Sequence, residues 1–492
     1  MRFSRANLLT ILILGSQISA CTLGPDYRKP EVPVATPFKE INNWKTAEPR
    51  DHLIPSDWWT VFDDPLLNQL QKQIDANQSL IQAEAQYRQA QYLVQSSQSS
   101  LLPLATLNGS FNNFKSAKGA SQVIPGVRTL FGNTVAMAWE PDLWGSVRRQ
   151  IEANTDNAQA SAALLQGIRL STQASLAQAY FQLRALDAQR KLYDETVEAY
   201  QQTLKITQNR YAVGVVAKTD VVQAETQWQS AKAQALNLGI QRAAFEHAIA
   251  VLIGKAPSEL TISSTAFNHQ APPIPVSLPS VLLERRPDIA AAERQMAAAN
   301  AEIGIAKAAY YPRLNLAMTN GFQSSDVASL FSTVSRYWAL GPAAAALTIF
   351  DGGVKNAQYK QAIAGFDASV AAYRQTVLTG FQEVEDNLAA LRILDQERAV
   401  QTQAVSAADK ALELITNQYK AGTVSYINVM TAQAAALSNH QTAVQLQQQQ
   451  LNTTVSLIKA LGGGWQEQQL PTPEQADGER KWTDYLILPW VD

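Results

Sequence analysis

The sequence predicts a mainly α protein with a small β portion, made of a duplicated half and completed only by pooling strands from three chains. The predicted assembly is a trimeric channel-tunnel. In it, four strands per chain close a twelve-stranded transmembrane β-barrel, which a long α-helical barrel continues. Three observations lead there. One motif series occurs twice, about 208 residues apart, too long a period for a solenoid unit. Leu183-Arg184-Ala185-Leu186-Asp187-Ala188-Gln189-Arg190 returns as Leu391-Arg392-Ile393-Leu394-Asp395-Gln396-Glu397-Arg398. Tyr211-Ala212-Val213-Gly214 returns as Tyr419-Lys420-Ala421-Gly422, and Ile253-Gly254 as Leu461-Gly462. Each half also carries a proline-free helical run far longer than a globular helix, and two short stretches that alternate with period two.

The first residues read as a lipoprotein signal peptide, 1–20. Arg2 and Arg5 form a charged start, and Leu8 to Leu14 an apolar core too short to span a bilayer. Ile18-Ser19-Ala20-Cys21 places small residues before the only cysteine, the pattern of a lipobox. Cleavage before Cys21 and lipidation of its thiol are the expectation; the plainer alternative is an ordinary signal peptide. A single cysteine cannot form a disulfide within the chain. Thr22 follows rather than an aspartate, so outer-membrane sorting is expected.

Residues 21–64 form an extended arm, with Pro25, Pro30, Pro33, Pro37, Pro49 and Pro55 opposing regular structure. The first repeat is 65–254. A helix is predicted from Pro65 to Leu101, stopped by Pro103. Leu104 to Phe114 alternates as a strand, 115–128 is a loop, and Phe131 to Trp139 is a second strand. From Val147 to Val213 runs a rod of roughly 100 Å at 1.5 Å per residue. Its seam is Tyr193, Val197, Tyr200, Leu204, Thr207 and Tyr211, stepping by four and three. Gly214 and Gly422 follow the two rods and suit left-handed C-terminal caps. A second helix then ends at Gly254, so each half carries a long hairpin.

A proline-rich linker, 255–279, leads to the second repeat, 280–464. There a helix runs from Ser280 to Tyr310, strands cover Arg313 to Phe322 and Trp338 to Phe350, and a rod covers Val354 to Ala421. The last helix ends at Gly462, and 465–492 is a polar tail.

Four strands cannot close a barrel, and an open sheet edge cannot face lipid because its backbone groups stay unpaired. The strands are nevertheless long enough to cross a membrane when tilted. Three chains resolve the conflict, and polar rod faces would then line a water-filled lumen.

The net charge of -2 leaves no basic footprint for nucleic acid. There is no phosphate-binding loop, metal cluster or nucleophile–base constellation, so no enzyme is expected. His52, His247, His269 and His440 are scattered and read as surface or packing residues. A periplasmic tether or adaptor is the competing reading. A tether has no use for four membrane-length strands, and an adaptor would add small β modules that are missing.

Further motifs line up in order. They are Gly24-Pro25-Asp26-Tyr27, Asp57-Trp58-Trp59 with Phe62 and Asp64-Pro65-Leu66, and Trp139-Glu140-Pro141-Asp142-Leu143-Trp144-Gly145. Then come Arg285-Arg286-Pro287-Asp288-Ile289 with Ala292-Glu293, Gly304 to Pro312, and Phe350-Asp351-Gly352-Gly353. Gly422-Thr423-Val424-Ser425-Tyr426 and Leu461-Gly462-Gly463-Gly464-Trp465 complete the set. The chain thereby resembles the outer-membrane efflux channels of the TolC/OprM type, in the lipoprotein branch, over nearly its whole mature length.

The resemblance implies the passive exit duct of a tripartite pump for drugs or other toxic small molecules. It implies a homotrimer anchored by outer-membrane lipid, with its α-barrel in the periplasm, and no cofactor beyond the lipid on Cys21. The implied partners are a periplasmic adaptor and an inner-membrane transporter, for which the lipoprotein branch favours the resistance–nodulation–division type. It also implies a gate at the two hairpin turns, Tyr211 to Asp220 and Tyr419 to Asn428. Related channels often place aspartates just after each turn. Here the first turn has Asp220 then Gln223, and the second has Asn428 then Thr431, so one acid remains. Asp220 could form a ring of charge in a trimer or serve its own helix N-terminus. Val424 stands where some relatives carry an arginine that ties the closed gate. Its absence favours an apolar or hydrogen-bonded closure using Ile427 and Thr431. The implied adaptor contacts are Gly214, Val215, Val216, Gly422, Thr423 and Val424.

Overall fold

The computed structural model describes residues 22–31, 38–41, 57–115, 127–267, 269–272 and 285–478. The signal peptide, Cys21, His52, most of the predicted 115–128 loop, residues 280–284 and the last part of the tail lie outside them.

The elements in order are α1 (Pro65–Gln71), α2 (Gln78–Ser99), β1 (Leu104–Lys115), β2 (Val127–Trp139), α3 (Ser146–Ala212) and α4 (Lys218–Leu252). The second half gives α5 (Pro287–Ala308), β3 (Arg313–Ser324), β4 (Arg336–Ala346), α6 (Val354–Ala421) and α7 (Tyr426–Ala460), followed by a single turn, α8 (Pro473–Ala476). The rods α3 and α6 span 67 and 68 residues, as the missing prolines predict. No helix among the described residues is long and apolar enough to cross a membrane.

The helix predicted from Pro65 to Leu101 is broken. A 3-10 turn, Ile74–Ala76, separates α1 from α2. Asn77 causes the restart. Its Oδ1 accepts from the Ser79 and Leu80 N–H groups at 2.9 and 3.3 Å, while its Nδ2 donates to the Leu252 carbonyl at 2.9 Å. The end of the first hairpin fits into this break. Gly254, at φ +72°, lies so close that a Cβ there would sit 2.1 Å from the Ala76 oxygen.

The helix placed at Ser280 to Tyr310 is regular over Pro287–Ala308, with Pro287 in its first turn and Arg286 extended before it. The rods begin at matched Asp caps. Asp142 accepts from the Val147 and Arg148 N–H groups at 3.1 and 3.0 Å. Asp351 accepts from those of Gly353 and Lys355 at 2.8 and 3.1 Å.

The four strands form one antiparallel sheet in the order β1-β2-β3-β4. β2 starts at Val127, earlier than the expected Phe131, and pairs with β1 from Leu104↔Ala138 to Lys115↔Val127. β4 is Arg336–Ala346 rather than Trp338 to Phe350. Ala346 already pairs with Arg313, which follows Pro312, so residues 347–350 have no partner strand to extend along. A register shift between Leu316 and Met318 faces Gly341-Pro342, where proline has no N–H to give the ladder. β1 and β4 are the sheet's two edges in the single protomer.

The main core sits below the sheet, where Trp58, Leu67, Leu70, Tyr180, Phe181, Val384, Leu388 and Val455 pack together. The described parts of the arm and of the tail, up to residue 478, are drawn onto this body. Trp465 is buried with Ala163, Ala290 and Ala291. Gln159, Gln91 and Gln95 donate to the carbonyls of Pro471, Gln475 and Asp477. The arm is likewise docked, as described next.

Candidate functional site

Each hairpin closes through the same cap. After α3, the Gly214 N–H donates to the Tyr211 carbonyl and the Val215 N–H to the Arg210 carbonyl, both at 2.9 Å. After α6, the Gly422 N–H donates to the Tyr419 carbonyl at 2.9 Å and the Thr423 N–H to the Gln418 carbonyl at 3.1 Å. Gly214 and Gly422 stand at φ +75° and +83°, the left-handed region expected of them. A Cβ on Gly214 would meet nothing, whereas one on Gly422 would lie 3.1 Å from Arg210 Nη2.

Gly214, Val215, Gly422 and Thr423 are exposed at the tips, and Val216 is half-buried. Val424 packs against the buried cluster of Leu204, Ala224, Tyr419, Tyr426 and Val429. Asp220 is half-buried in the first turn of α4, whose N-cap, Ala217, offers no side-chain acceptor. Gln223 is exposed. Ile427, Asn428 and Thr431 form one exposed face of α7, opposite the buried Tyr426, Val429 and Ala432. The protomer thus leaves these residues free to face a lumen or a neighbour.

The sequence reading missed the tie between the two hairpins. Arg210 Nη1 donates to the Tyr419 carbonyl, and its guanidinium carbon lies 4.7 Å from the Tyr419 ring centroid. The Tyr419 hydroxyl meets Thr207 Oγ1 at 3.1 Å. Tyr419 packs edge-on to Tyr426, with centroids 5.9 Å apart. One turn further up, Gln433 Nε2 donates to Thr203 Oγ1 at 3.1 Å. Burial, with Tyr200, Tyr419 and Asp220 nearby, pushes the Tyr426 phenol up to about 12, so it stays neutral. An arginine does stand at the tips, on the first hairpin rather than at Val424. A signal existed, because Arg210 is where the first copy departs from Gln418 of the second.

At the collar between sheet and rods, the arm is clasped. The Leu23 N–H donates to the Trp144 carbonyl at 3.2 Å, and Asn300 Nδ2 to the Pro25 carbonyl at 2.9 Å. Arg149 bonds the Leu23 carbonyl at 3.2 Å and Asp26 at 2.9 Å. Gly24 presses on Gly304, where a Cβ would fall 2.5 Å from the Gly304 Cα. The Tyr27 hydroxyl donates to Glu293 at 2.6 Å.

Beneath this clasp, Asp156 is 3.6 Å from Arg294, which also holds Glu293 at 2.6 Å. Burial pushes the Asp156 carboxyl up to about 7; Arg294 opposes the shift, and Glu152 and Glu293 add to it. The folded state therefore binds this proton more tightly than the unfolded chain does. The resulting stabilisation is full below the ordinary carboxyl pKa of about 4 and is lost as pH rises towards 7. The purified protein should melt at a higher temperature at pH 5 than at pH 8, and Asp156→Asn should flatten that difference. An unchanged slope in the variant would contradict the assignment.

The three described histidines fall into packing roles or onto the surface. His269 Nε2 meets Asp64 at 2.7 Å, His440 meets Asp409 at 2.9 Å, and His247 is exposed. Among the described residues, no group of His, Cys, Asp or Glu could hold a metal ion.

Comparison with known proteins completes the picture. A family model described as "Outer membrane efflux protein" matches residues 69–255 and 278–463. The probable efflux pump outer membrane protein TtgC of Pseudomonas putida is 32% identical over 481 residues, covering 96% of this chain and 99% of TtgC. Outer membrane protein OprJ of Pseudomonas aeruginosa is 30% identical, covering 93% of this chain and 96% of OprJ. The solved outer-membrane channel OprN superposes with a TM-score of 0.85 at 30% identity, over 90% of this chain and 100% of that one.

Proposed function

The chain belongs to the outer membrane efflux protein family and is an outer-membrane efflux channel, and we propose that it rests as a tube closed at its hairpin tips. Three protomers make the channel, so the free edges of β1 and β4 find partners and the barrel closes. The chain is the outer-membrane component of an efflux pump and catalyses no reaction.

The observation that carries tip closure is the Arg210–Tyr419 tie. It joins the end of one rod to the end of the other in the absence of any partner chain. In this reading an adaptor docks on Gly214, Val215, Val216, Gly422, Thr423 and Val424, and docking breaks the tie. Val215 and Thr423, exposed at the tips, support it. The inner-membrane partner is a transporter of the resistance–nodulation–division type. Cys21 carries lipid, and the rods project into the periplasm. The docked arm supports the anchor, because it holds Thr22 against Gly145 at the collar. Relatives are named for toluene and antibiotic efflux, and aromatic solvents and drugs are the proposed cargo here.

The functional reading is tested in a strain lacking its own exit duct. Expression of this chain together with its adaptor and transporter should restore resistance, and omission of either partner should abolish it. Resistance restored by the chain alone would contradict the pump assignment.

Asp220, Gln223, Ile427, Asn428 and Thr431 line the proposed constriction. With one acid per chain there, cation selectivity should be weak and Asp220→Asn should change it little. Strong block by trivalent cations in planar bilayers would show instead that Asp220 forms an effective ring.

A further inference from the structure

The two rods are held very differently at their roots. Arg184 and Arg392 occupy matching places in the duplicated motif. Around Arg184 the linker is locked by a buried network. Arg184 donates to the Ser263 carbonyl at 2.7 Å and pairs with Asp187 at 3.1 Å. Arg242 bridges Asp187 at 2.7 Å and Glu246 at 2.5 Å. Around Arg392 the N-terminal arm takes the linker's place. Glu385 accepts the N–H groups of Lys39 and Glu40 at 2.6 and 3.0 Å, one on each carboxylate oxygen. Glu40 in turn pairs with Arg392 Nη2 at 2.8 Å. Phe38 is 3% exposed and lies edge-on to Phe381 on α6, centroids 6.4 Å apart.

The burial of α6 changes at this place. Within the protomer the rod is buried in steps from Tyr373 to Leu391 and then not again until Tyr419 at the tip. Moving the upper stretch would uncover Tyr373, Val377, Val384 and Leu388. Moving the lower stretch uncovers no buried residue of α6 before the tip tie.

We propose that arm residues 38–40 are a strap that sets the pivot of the second hairpin at Leu391–Arg392. Glu385 and Arg392 are then positioning residues for gating. The stretch from Arg392 to Ala421 is a lever with two holds, the strap at its root and the Arg210 tie at its tip. The proposal rests on the tip closure described above. It makes the arm a part of the gate as well as a tether, since residues 23–27 hold the collar and residues 38–40 the pivot. The grip suits an adjustable hold. It uses two charge-assisted hydrogen bonds and one partly exposed ion pair, against the buried network that fixes the first hairpin.

The test uses full-length trimer in planar bilayers, with Arg392→Glu, Glu40→Arg, the double charge swap, Glu385→Gln and Arg210→Ala. Glu385→Gln keeps the shape but can accept only one of the two N–H groups well. Each single strap variant should raise the open fraction about two- to five-fold, as expected for a partly exposed pair, with the trimer's Tm unchanged. The double swap should return towards wild type. Unchanged currents in all strap variants, no rescue by the swap, or a Tm that falls in step with the current would overturn the strap. A response to Arg210→Ala without one to the strap variants removes the strap and keeps tip closure. Silence of both removes the strap and the Arg210 tie together.

Discussion

Arg210→Ala should leave the trimer assembled and make it leak. The side chain reaches from the last turn of α3 to the carbonyl of Tyr419, at the C-terminus of α6, where the helix dipole concentrates partial negative charge. A hydrogen bond from a charged donor contributes about 1.5–3 kcal/mol, and the ring contact about 0.5–1 kcal/mol more. Losing both should raise the open population of a protomer by at least about ten-fold, since about 1.4 kcal/mol is one decade. The readouts are open-state current in planar bilayers and entry into cells of a large polar dye that the outer membrane excludes. Tyr419→Phe offers a graded control. It removes the hydroxyl contact to Thr207 but keeps the carbonyl and the ring, so its effect should be several-fold smaller. Wild-type current in Arg210→Ala would show that closure lies elsewhere, on the face bearing Ile427 and Thr431 for example.

The second large effect is expected from Gly214→Trp with Gly422→Trp. Both glycines sit in the left-handed region, where a side chain costs about 1–2 kcal/mol per residue. That strain is too small to unfold rods of 67 and 68 residues, so membrane insertion should be normal. The tips, however, would carry bulk at the proposed adaptor-docking turns, and efflux should be lost. The single variants should differ. A side chain at Gly214 meets open space, so it should block docking alone; one at Gly422 also displaces Arg210 and should leak. Unchanged drug resistance in the double variant would contradict adaptor docking at these turns.

How much of this was legible in the sequence depended on whether a feature is local. The rods, strands, glycine caps and duplication are written in periodicity and punctuation, and they stand within a few residues of their expected places. The heptad-like seam holds over most of its length, with Tyr200, Leu204 and Thr207 buried and Tyr193 and Val197 half-buried, but its last member, Tyr211, is exposed where the rod ends at the tip. The break at Asn77 was misread because the helical pattern resumes at once on its far side, while its cause is a carbonyl 175 residues away. β4 was placed too late because its end is set by where β3 begins. Arg210 was overlooked for the same kind of reason. Its partner lies 209 residues along the chain, and no spacing rule connects a basic residue in one rod to a carbonyl in another. The arm and tail looked like spacers because proline-rich and polar stretches have no period of their own. Where they are described, they are held by side chains of the folded body: carboxylates, Arg149 and Asn300 on the arm, and glutamine amides on the tail carbonyls.

The central claim is a closed trimeric channel, and one measurement reaches it most directly. The detergent-purified protein would be weighed by native mass spectrometry and its single-channel conductance recorded in a planar bilayer. The account predicts a trimer with a small, mostly closed conductance. A water-soluble monomer or dimer that conducts nothing would contradict it.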